Sequence, residues 1–333
     1  MSRLLNDKKT SNDMEDMSVR PTKLDDYIGQ ESLKNNFKIY IGAAIKRSES
    51  LDHVLLYGPP GLGKTTFANI IANEMNVNFK CINGPSIEKT GDLASILSSL
   101  QPGDVLFIDE IHRLPQVVEE SLYSAMEDFK FSVVINRETT PRNIVIDLPP
   151  FTLIGATTKP GLLSSPLRAR FGISEKLDFY SISELSKIVI RMGKVLHIQI
   201  DETAATQIAK RSRGTPRIAI RLFKRVRDYA NYKNIDLIDE IACKEALKLL
   251  RIDELGLDEV DALYIQTLIN RFNGGPVGIE TLANSIGEEV VNLEDVYEPY
   301  LLKLGFIDRT IKGRVANEPA YFHYKLMKKF KPL

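Results

Sequence analysis

The sequence predicts an α/β protein: a parallel sheet wrapped by helices, then a small all-helical module, then a C-terminal winged helix. Three observations carry this expectation. From about residue 20 to 180, short apolar runs alternate with amphipathic stretches, the pattern of strand–helix–strand units. Residues 181–251 keep helical periodicity throughout and offer no strand candidate. Residues 254–333 give three helical patterns and then a hairpin pattern. At 333 residues the chain exceeds one ordinary core, so several domains are expected. The boundaries read from texture are a flexible tail at 1–18, a large domain at 19–180, a small helical domain at 181–252 and a C-terminal domain at 253–333.

Composition narrows the class. The 44 Lys and Arg balance 44 Asp and Glu, which excludes a uniformly basic nucleic-acid coat but allows a local basic patch. Hydrophobic residues at 43% suffice for real cores. Apolar runs such as Val54-Leu55-Leu56-Tyr57 are far too short to cross a bilayer, and the N-terminal stretch lacks a secretory pattern. With only Cys81 and Cys243, neither a disulfide framework nor a cysteine metal site is expected. These features predict a soluble, cytoplasmic protein.

Taken in order, residues 1–18 are polar, charged and aperiodic. His53–Tyr57, Val105–Ile108 and Phe151–Gly155 read as buried strands bounded by Gly, Pro or Asp, and Phe67–Met75 reads as a helix between strands. Phe131 to Ile146 alternates apolar and polar residues around a polar centre, a hairpin signal. In the last module, Val260, Leu263, Tyr264, Leu268 and Phe272 share a helical face that Gly274-Gly275-Pro276 ends. Two short helices follow, around 279–286 and 293–304. Phe306–Arg309 and Arg314–Ala316 then flank a turn at Lys312-Gly313.

The chemistry starts at Gly58-Pro59-Pro60-Gly61-Leu62-Gly63-Lys64-Thr65, a full match to the phosphate-loop pattern. A chance match in a chain of this length has a probability on the order of 1%. The context is right as well, with a strand ending at Tyr57 and a helix opening at Lys64. Backbone N–H groups of such a loop turn onto phosphate oxygens at the positive end of the helix dipole. Gly61, Gly63, Lys64, Thr65 and Thr66 are therefore the expected nucleotide contacts, with Lys64 on the outer phosphates and the Thr65 hydroxyl on Mg²⁺. Asp109-Glu110 ends an apolar strand with two carboxylates. Asp109 suits Mg²⁺, and Glu110 suits the water that attacks the terminal phosphate of ATP. His112 follows in the order Asp-Glu-x-His, which is not zinc spacing, and is read as a polar contact near the site.

Other positions are ambiguous on their own. Gly155-Ala156-Thr157-Thr158 ends a strand with two hydroxyls, suited to a γ-phosphate contact or to a plain strand-end cap. Arg168 and Arg170 lie on a short edge helix and read equally as a solvated pair. Arg217, after Gly214-Thr215-Pro216, is one of eight basic residues between Lys210 and Arg227.

Together, the phosphate loop, Asp109-Glu110-Ile111-His112-Arg113-Leu114, Gly155–Thr158, Ser165–Gly172 and Gly214–Arg217 resemble the AAA+ ATPases. Within that class, the chain is similar to the bacterial motors of Holliday-junction branch migration. The likeness spans about Arg20 to Ala316 and includes Tyr27-Ile28-Gly29-Gln30, Asp147–Leu153 and Phe272–Gly278. It implies a P-loop AAA+ ATPase domain, a lid and a DNA-binding winged helix. The implied activity is that of an ATP-dependent DNA translocase of the helicase class, acting in recombination and repair as a homohexamer on duplex DNA. ATP and Mg²⁺ are the implied cofactors, RuvA the implied partner, and a junction resolvase an optional one.

The resemblance also implies roles for single residues. Val19 and Arg20 bracket the adenine, and Glu127, Asp128, Phe129 and Tyr180 line the nucleotide pocket. Thr158, ahead of Thr157, senses the γ-phosphate. Arg170 is a finger for the neighbouring subunit's site, and Arg217 is the sensor of the lid. Ile144 and Ile146 would face outward to RuvA, with inward packing as the alternative. Arg309 and Arg314 on the wing would bind DNA, since eight Lys and Arg fall between Tyr300 and Leu333 while Glu280–Pro299 holds six acids and no base. Val290 stands where relatives tend to carry a DNA-contacting arginine. A clamp-loader-like assembly ATPase is the alternative function. A purely regulatory DNA-binding protein is disfavoured by Glu110 and Arg170.

Overall fold

A computed structural model describes residues 20–137 and 140–330, with side chains described except at 133–144 and 326–330. The chain forms two compact units, Met1–Tyr180 and Ser181–Leu333. Among the described residues of the first unit, the strands in chain order are β1 (Val54–Tyr57), β2 (Phe79–Asn83), β3 (Val105–Asp109), β4 (Lys130–Arg137), β5 (Thr140–Asp147), β6 (Thr152–Thr157) and β7 (Ile173–Lys176). Five of them build one parallel sheet in the order β2-β3-β6-β1-β7. All of β6, Val105–Ile108 of β3 and Val54–Leu56 of β1 are buried, because helices cover both faces of such a sheet.

The helix Lys64–Glu74 buries Phe67, Ala68, Ile70 and Ile71, and Gln116–Glu127 buries Val118, Leu122, Ala125 and Met126. Leu55, Leu106, Ile108, Leu153 and Phe171 join the second of these helices in one core. The expected hairpin is present as antiparallel β4–β5, paired from Lys130↔Asp147 to Arg137↔Thr140. Phe131 at its base is fully buried in that core.

The second unit starts with four helices, Ile182–Val195, Glu202–Lys210, Pro216–Lys233 and Glu240–Leu249. Polar residues set three of their starts. The Ser181 hydroxyl accepts the Glu184 N–H while Glu184 accepts the Ser181 N–H, and Asp201 and Asp239 cap the second and fourth helices. One expectation needs correcting here. The segment does contain strands, the two-residue β8 (Gln199–Ile200) and β9 (Leu237–Ile238), paired in parallel. Two residues carry no period that a sequence reading could detect.

The remainder is a winged helix. Helices Glu259–Asn270 and Ile279–Ile286 precede a helical stretch over 290–303 that widens into a π-type turn at Leu293–Tyr297. The wing is β10 (Ile307–Thr310) against β11 (Gly313–Ala316). Val277 exchanges both backbone hydrogen bonds with Arg314, tying the Gly-Gly-Pro loop to the wing. The sequence reading left the basic C-terminal stretch without an element, yet Glu318–Phe330 is a helix, and its Ala320 and Tyr324 enter the head's core.

Within this unit, Arg213 joins the four-helix part to the head. Its Nε donates to Gly256 O at 2.8 Å, and its Nη2 donates to Asp258 at 3.1 Å and Asp261 at 2.5 Å. Burial pushes the Asp261 carboxyl up to about 7, and the Arg213 guanidinium only partly opposes this. The folded protein therefore holds a proton that an unfolded aspartate releases near pH 3.9. Asp261 contributes stability fully on the acid side, and that contribution is lost as pH rises through about 7. In thermal unfolding scans between pH 5.5 and 8, Asp261→Asn should show a flatter pH dependence than the parent. An equally steep dependence would assign it to other groups.

Candidate functional site

The phosphate loop leaves β1 and enters the helix Lys64–Glu74 through Gly58, Gly61 and Gly63, whose φ values are 141°, 78° and 100°. A side chain at Gly58 would also meet the Leu177 carbonyl at 2.5 Å, so glycine is required there twice over. Lys64 Nζ donates to Gly58 O at 2.7 Å and Pro59 O at 3.0 Å, holding the loop in a hook. Burial lowers the Lys64 pKa, and the nearby Glu110 and Asp109 carboxylates oppose that shift. Thr65 and Thr66 are half-buried on the helix's first turn.

Behind the loop, Tyr180 Oη donates to Tyr27 Oη at 2.8 Å and also lies 3.3 Å from Leu62 O. Tyr27 approaches the same carbonyl at 3.4 Å, and its own burial raises its pKa well above the ordinary phenol value. Tyr180, expected to line the pocket, thus braces the loop backbone. Tyr27 is a supporting residue that sequence reasoning noticed only as part of a family stretch.

The parallel order places the end of β6 beside β1 and the end of β3 next beyond it. Asp109 ends β3, and its Oδ1 accepts the Glu110 N–H at 3.0 Å. Burial raises the Asp109 pKa. Glu110 takes a left-handed conformation (φ 49°, ψ 45°) and opens the one-turn helix Ile111–Arg113. Thr158 Oγ1 donates to Glu110 Oε2 at 3.3 Å, so the two predicted residues do meet. Thr157 is fully buried, and its hydroxyl lies 2.9 Å from His112 Nδ1. The donors available to a cation here, the Thr65 hydroxyl and the Asp109 carboxylate, are hard oxygens and fit Mg²⁺. Phosphate oxygens and water would complete its shell.

Arg170 follows the short helix Ser165–Ala169. Its Nη1 donates to Pro166 O at 2.9 Å, its Nη2 pairs with Glu127 at 3.1 Å, and its guanidinium covers the Tyr123 ring at 4.3 Å. Arg170 Nε is buried without a hydrogen-bond partner. The structure therefore groups Glu127 with Arg170, and sets Phe129 edge-to-face against His53 and Phe151. Asp128 ends the same helix as Glu127. Arg20 is exposed, and Val19 lies outside the described residues. In the second unit, Arg217 is exposed on the first turn of Pro216–Lys233, after left-handed Arg213 and Gly214.

One expectation needs correcting, and a second acquires partners that the sequence did not show. Ile146 is partly buried against the large core rather than turned outward, and Val145 is the exposed neighbour. The side chain of Ile144 lies outside the described residues. On the wing, Arg309 and Arg314 are not free cations. Both bind Glu298, which is 0% exposed, through Arg309 Nε at 2.6 Å and Arg314 Nε at 2.9 Å. Arg314 Nη2 also donates to Glu294 at 2.6 Å and is left 13% exposed, against 42% for Arg309. Tyr264 donates to the same Glu298 at 2.8 Å. The expectation ignored that the acidic helix and the basic wing neutralise each other. Ile311 at the wing's tip is fully exposed beside exposed Lys312.

Gly84 also escaped the sequence reading. A methyl there would lie 2.7 Å from Glu110 O and 3.1 Å from Asp109 O, both backbone atoms. Gly84→Ala should therefore displace the acidic pair, lowering ATP turnover more than ATP binding and costing about 1–3 kcal/mol of stability. Turnover, nucleotide titration and denaturation together check this. Unchanged turnover would mean the backbone yields freely.

The chain is similar to known proteins along nearly its whole length. Three family models match in succession: Holliday junction DNA helicase RuvB P-loop domain over residues 19–177, RuvB AAA lid domain over 180–253 and RuvB C-terminal winged helix domain over 254–325. The Holliday junction branch migration complex subunit RuvB of Staphylococcus haemolyticus is 56% identical over 310 residues, 93% of this chain and 94% of its own length. The Staphylococcus saprophyticus protein of the same name is 56% identical over 309 residues, 93% of this chain and 92% of its own. Among solved structures, the Thermotoga maritima RuvB Holliday junction branch migration motor superposes with a TM-score of 0.84 at 52% identity, covering 92% of this chain and 98% of that one.

Proposed function

Because the chain belongs to the RuvB family, we propose that it hydrolyses ATP to move Holliday junctions along duplex DNA in recombination and repair. The observation that carries the chemistry is the convergence of the phosphate loop, Asp109-Glu110 and Thr158 at neighbouring strand ends. ATP is the substrate, cradled by Gly61, Gly63, Lys64, Thr65 and Thr66, with Val19 and Arg20 toward the adenine. Lys64 trades its loop carbonyls for the outer phosphates. Thr65 and Asp109 hold Mg²⁺, which neutralises phosphate charge when bound. Glu110 orients and deprotonates the attacking water, and Thr158 turns from Glu110 toward the γ-phosphate. Arg217 contributes a further nucleotide contact.

The working form is a homohexamer with RuvA. Arg170 leaves Glu127 to stabilise transition-state charge on the neighbour's nucleotide, and Glu127, Asp128 and Phe129 approach that pocket with it. No helix among the described residues is long and apolar enough to cross a membrane. A clamp-loader-like ATPase would share the nucleotide site but would have no need of a DNA-tracking wing. The matched winged-helix family disfavours it.

Glu110→Gln should bind ATP normally and hydrolyse it very slowly, whereas Lys64→Ala should fail to bind. A finger supplied in trans is worth about 10³–10⁵ in rate. Arg170→Ala mixed with Lys64→Ala should accordingly regain some turnover, because mixed rings contain interfaces with an intact Lys64 and an intact Arg170. No recovery in rings shown to be mixed would assign Arg170 a role within its own subunit.

For DNA, Arg309 is the more available wing cation, and Arg314 reaches phosphate only by leaving Glu294. Each phosphate neutralised contributes about −0.9 to the slope of log K against log[salt]. Arg309→Ala should flatten that slope more than Arg314→Ala does, and Glu294→Ala should tighten duplex binding by releasing Arg314. Salt titrations of duplex affinity at fixed nucleotide decide this. Weaker binding by a folded Glu294→Ala protein would overturn it.

A further inference from the structure

His112 was singled out by the sequence, yet the proposed chemistry gives it no task. Its side chain is only 8% exposed. The same ring nitrogen, Nδ1, lies 3.2 Å from Glu110 Oε2 and 2.9 Å from Thr157 Oγ1. Thr157 Oγ1 in turn accepts the Lys159 N–H at 3.0 Å, which anchors it to the chain leaving β6. A carboxylate oxygen accepts and an N–H donates, so in the tautomer with the proton on Nδ1 that proton lies within reach of two acceptors, Glu110 Oε2 and Thr157 Oγ1.

The backbone beneath Glu110 is already fixed. The left-handed turn costs a non-glycine residue on the order of 1 kcal/mol, and Gly84 packs directly against the Glu110 carbonyl. What stays adjustable is the direction of the carboxylate. Two groups set it, the Thr158 hydroxyl and His112 Nδ1. If Thr158 turns toward a γ-phosphate, His112 is the remaining one of these two holds.

We propose that His112 is a positioning residue for ATP hydrolysis, holding the Glu110 carboxylate to the Thr157 end of β6 so that water activation is linked to the strand that meets the γ-phosphate. This rests on Glu110 being the residue that activates water. The histidine touches neither substrate nor cofactor and transfers no proton to them. Its effect passes through Glu110 alone.

That restriction makes the idea testable. A reacting group displaced by about 1 Å loses up to roughly 10²-fold in rate. In the full-length protein, His112→Ala should lower kcat by about ten- to a hundredfold while KM for ATP and the affinity for a fluorescent ATP analogue stay within about twofold. His112→Asn should recover most of the rate, because its amide nitrogen sits near the position of Nδ1. Should the alanine variant fail to fold, Thr157→Val removes the other anchor with little change in volume, and it should show the same loss of kcat at unchanged KM.

The deciding measurement is single-turnover hydrolysis in the Glu110→Gln background. There, His112→Ala should add less than about twofold, since residues acting through one group are not additive. A full additional ten- to hundredfold loss would overturn the positioning role and leave the reading of Glu110 intact. Near-normal hydrolysis by Glu110→Gln itself would overturn both.

Discussion

The chemistry of the first unit depends on one constraint: in a parallel sheet, all strands finish at the same edge. With the order β2-β3-β6-β1-β7, the ends of β3, β6 and β1 are adjacent there. β1 delivers the phosphate loop, β3 delivers Asp109 and Glu110, and β6 delivers Thr157 and Thr158. A crevice beyond the carboxyl ends of strands is where open α/β sheets bind ligands. Burial of these strands on both faces makes the edge stiff, so polar groups standing on it keep their spacing.

Stiffness alone would not aim the groups. The aiming is done by contacts at the rim, each of which limits one degree of freedom. Tyr27 and Tyr180 press on Leu62, Gly84 admits the Glu110 backbone, and Thr158 and His112 direct its carboxylate. Lys64 is held on the loop's own carbonyls. Replacing those carbonyls by phosphate oxygens exchanges neutral acceptors for charged ones, which favours the nucleotide.

The second unit solves a different problem, that of burying charge. Glu298 is fully buried and accepts from Arg309, Arg314 and Tyr264, so its oxygens are satisfied. Removing one member of such a set leaves a buried charge without compensation, typically at a cost of about 3–5 kcal/mol. The same carboxylate therefore fixes the wing to the helical stretch over 290–303. Arg213 acts likewise at the start of the head, where Asp261 keeps one oxygen without a partner and its pKa rises. The net charge of zero conceals both arrangements, because it counts residues and not their neighbours.

The sequence by itself determined the phosphate loop, the acidic strand end, the order of domains and the family. All of these rest on contiguous residues, whose local pattern is the physical signal: a glycine where φ must be positive, an apolar run where both faces are covered. What only the tertiary structure decided were pairings between distant positions. Thr157 with His112, Glu127 with Arg170, Glu294 and Glu298 with Arg314, and Asp261 with Arg213 are joined by no spacing rule. The facing of Ile146 belongs with them, since a hairpin's alternation specifies two faces but not which one meets the core. Charge and periodicity are properties of a chain, whereas a partner is a property of the fold that brings two stretches together.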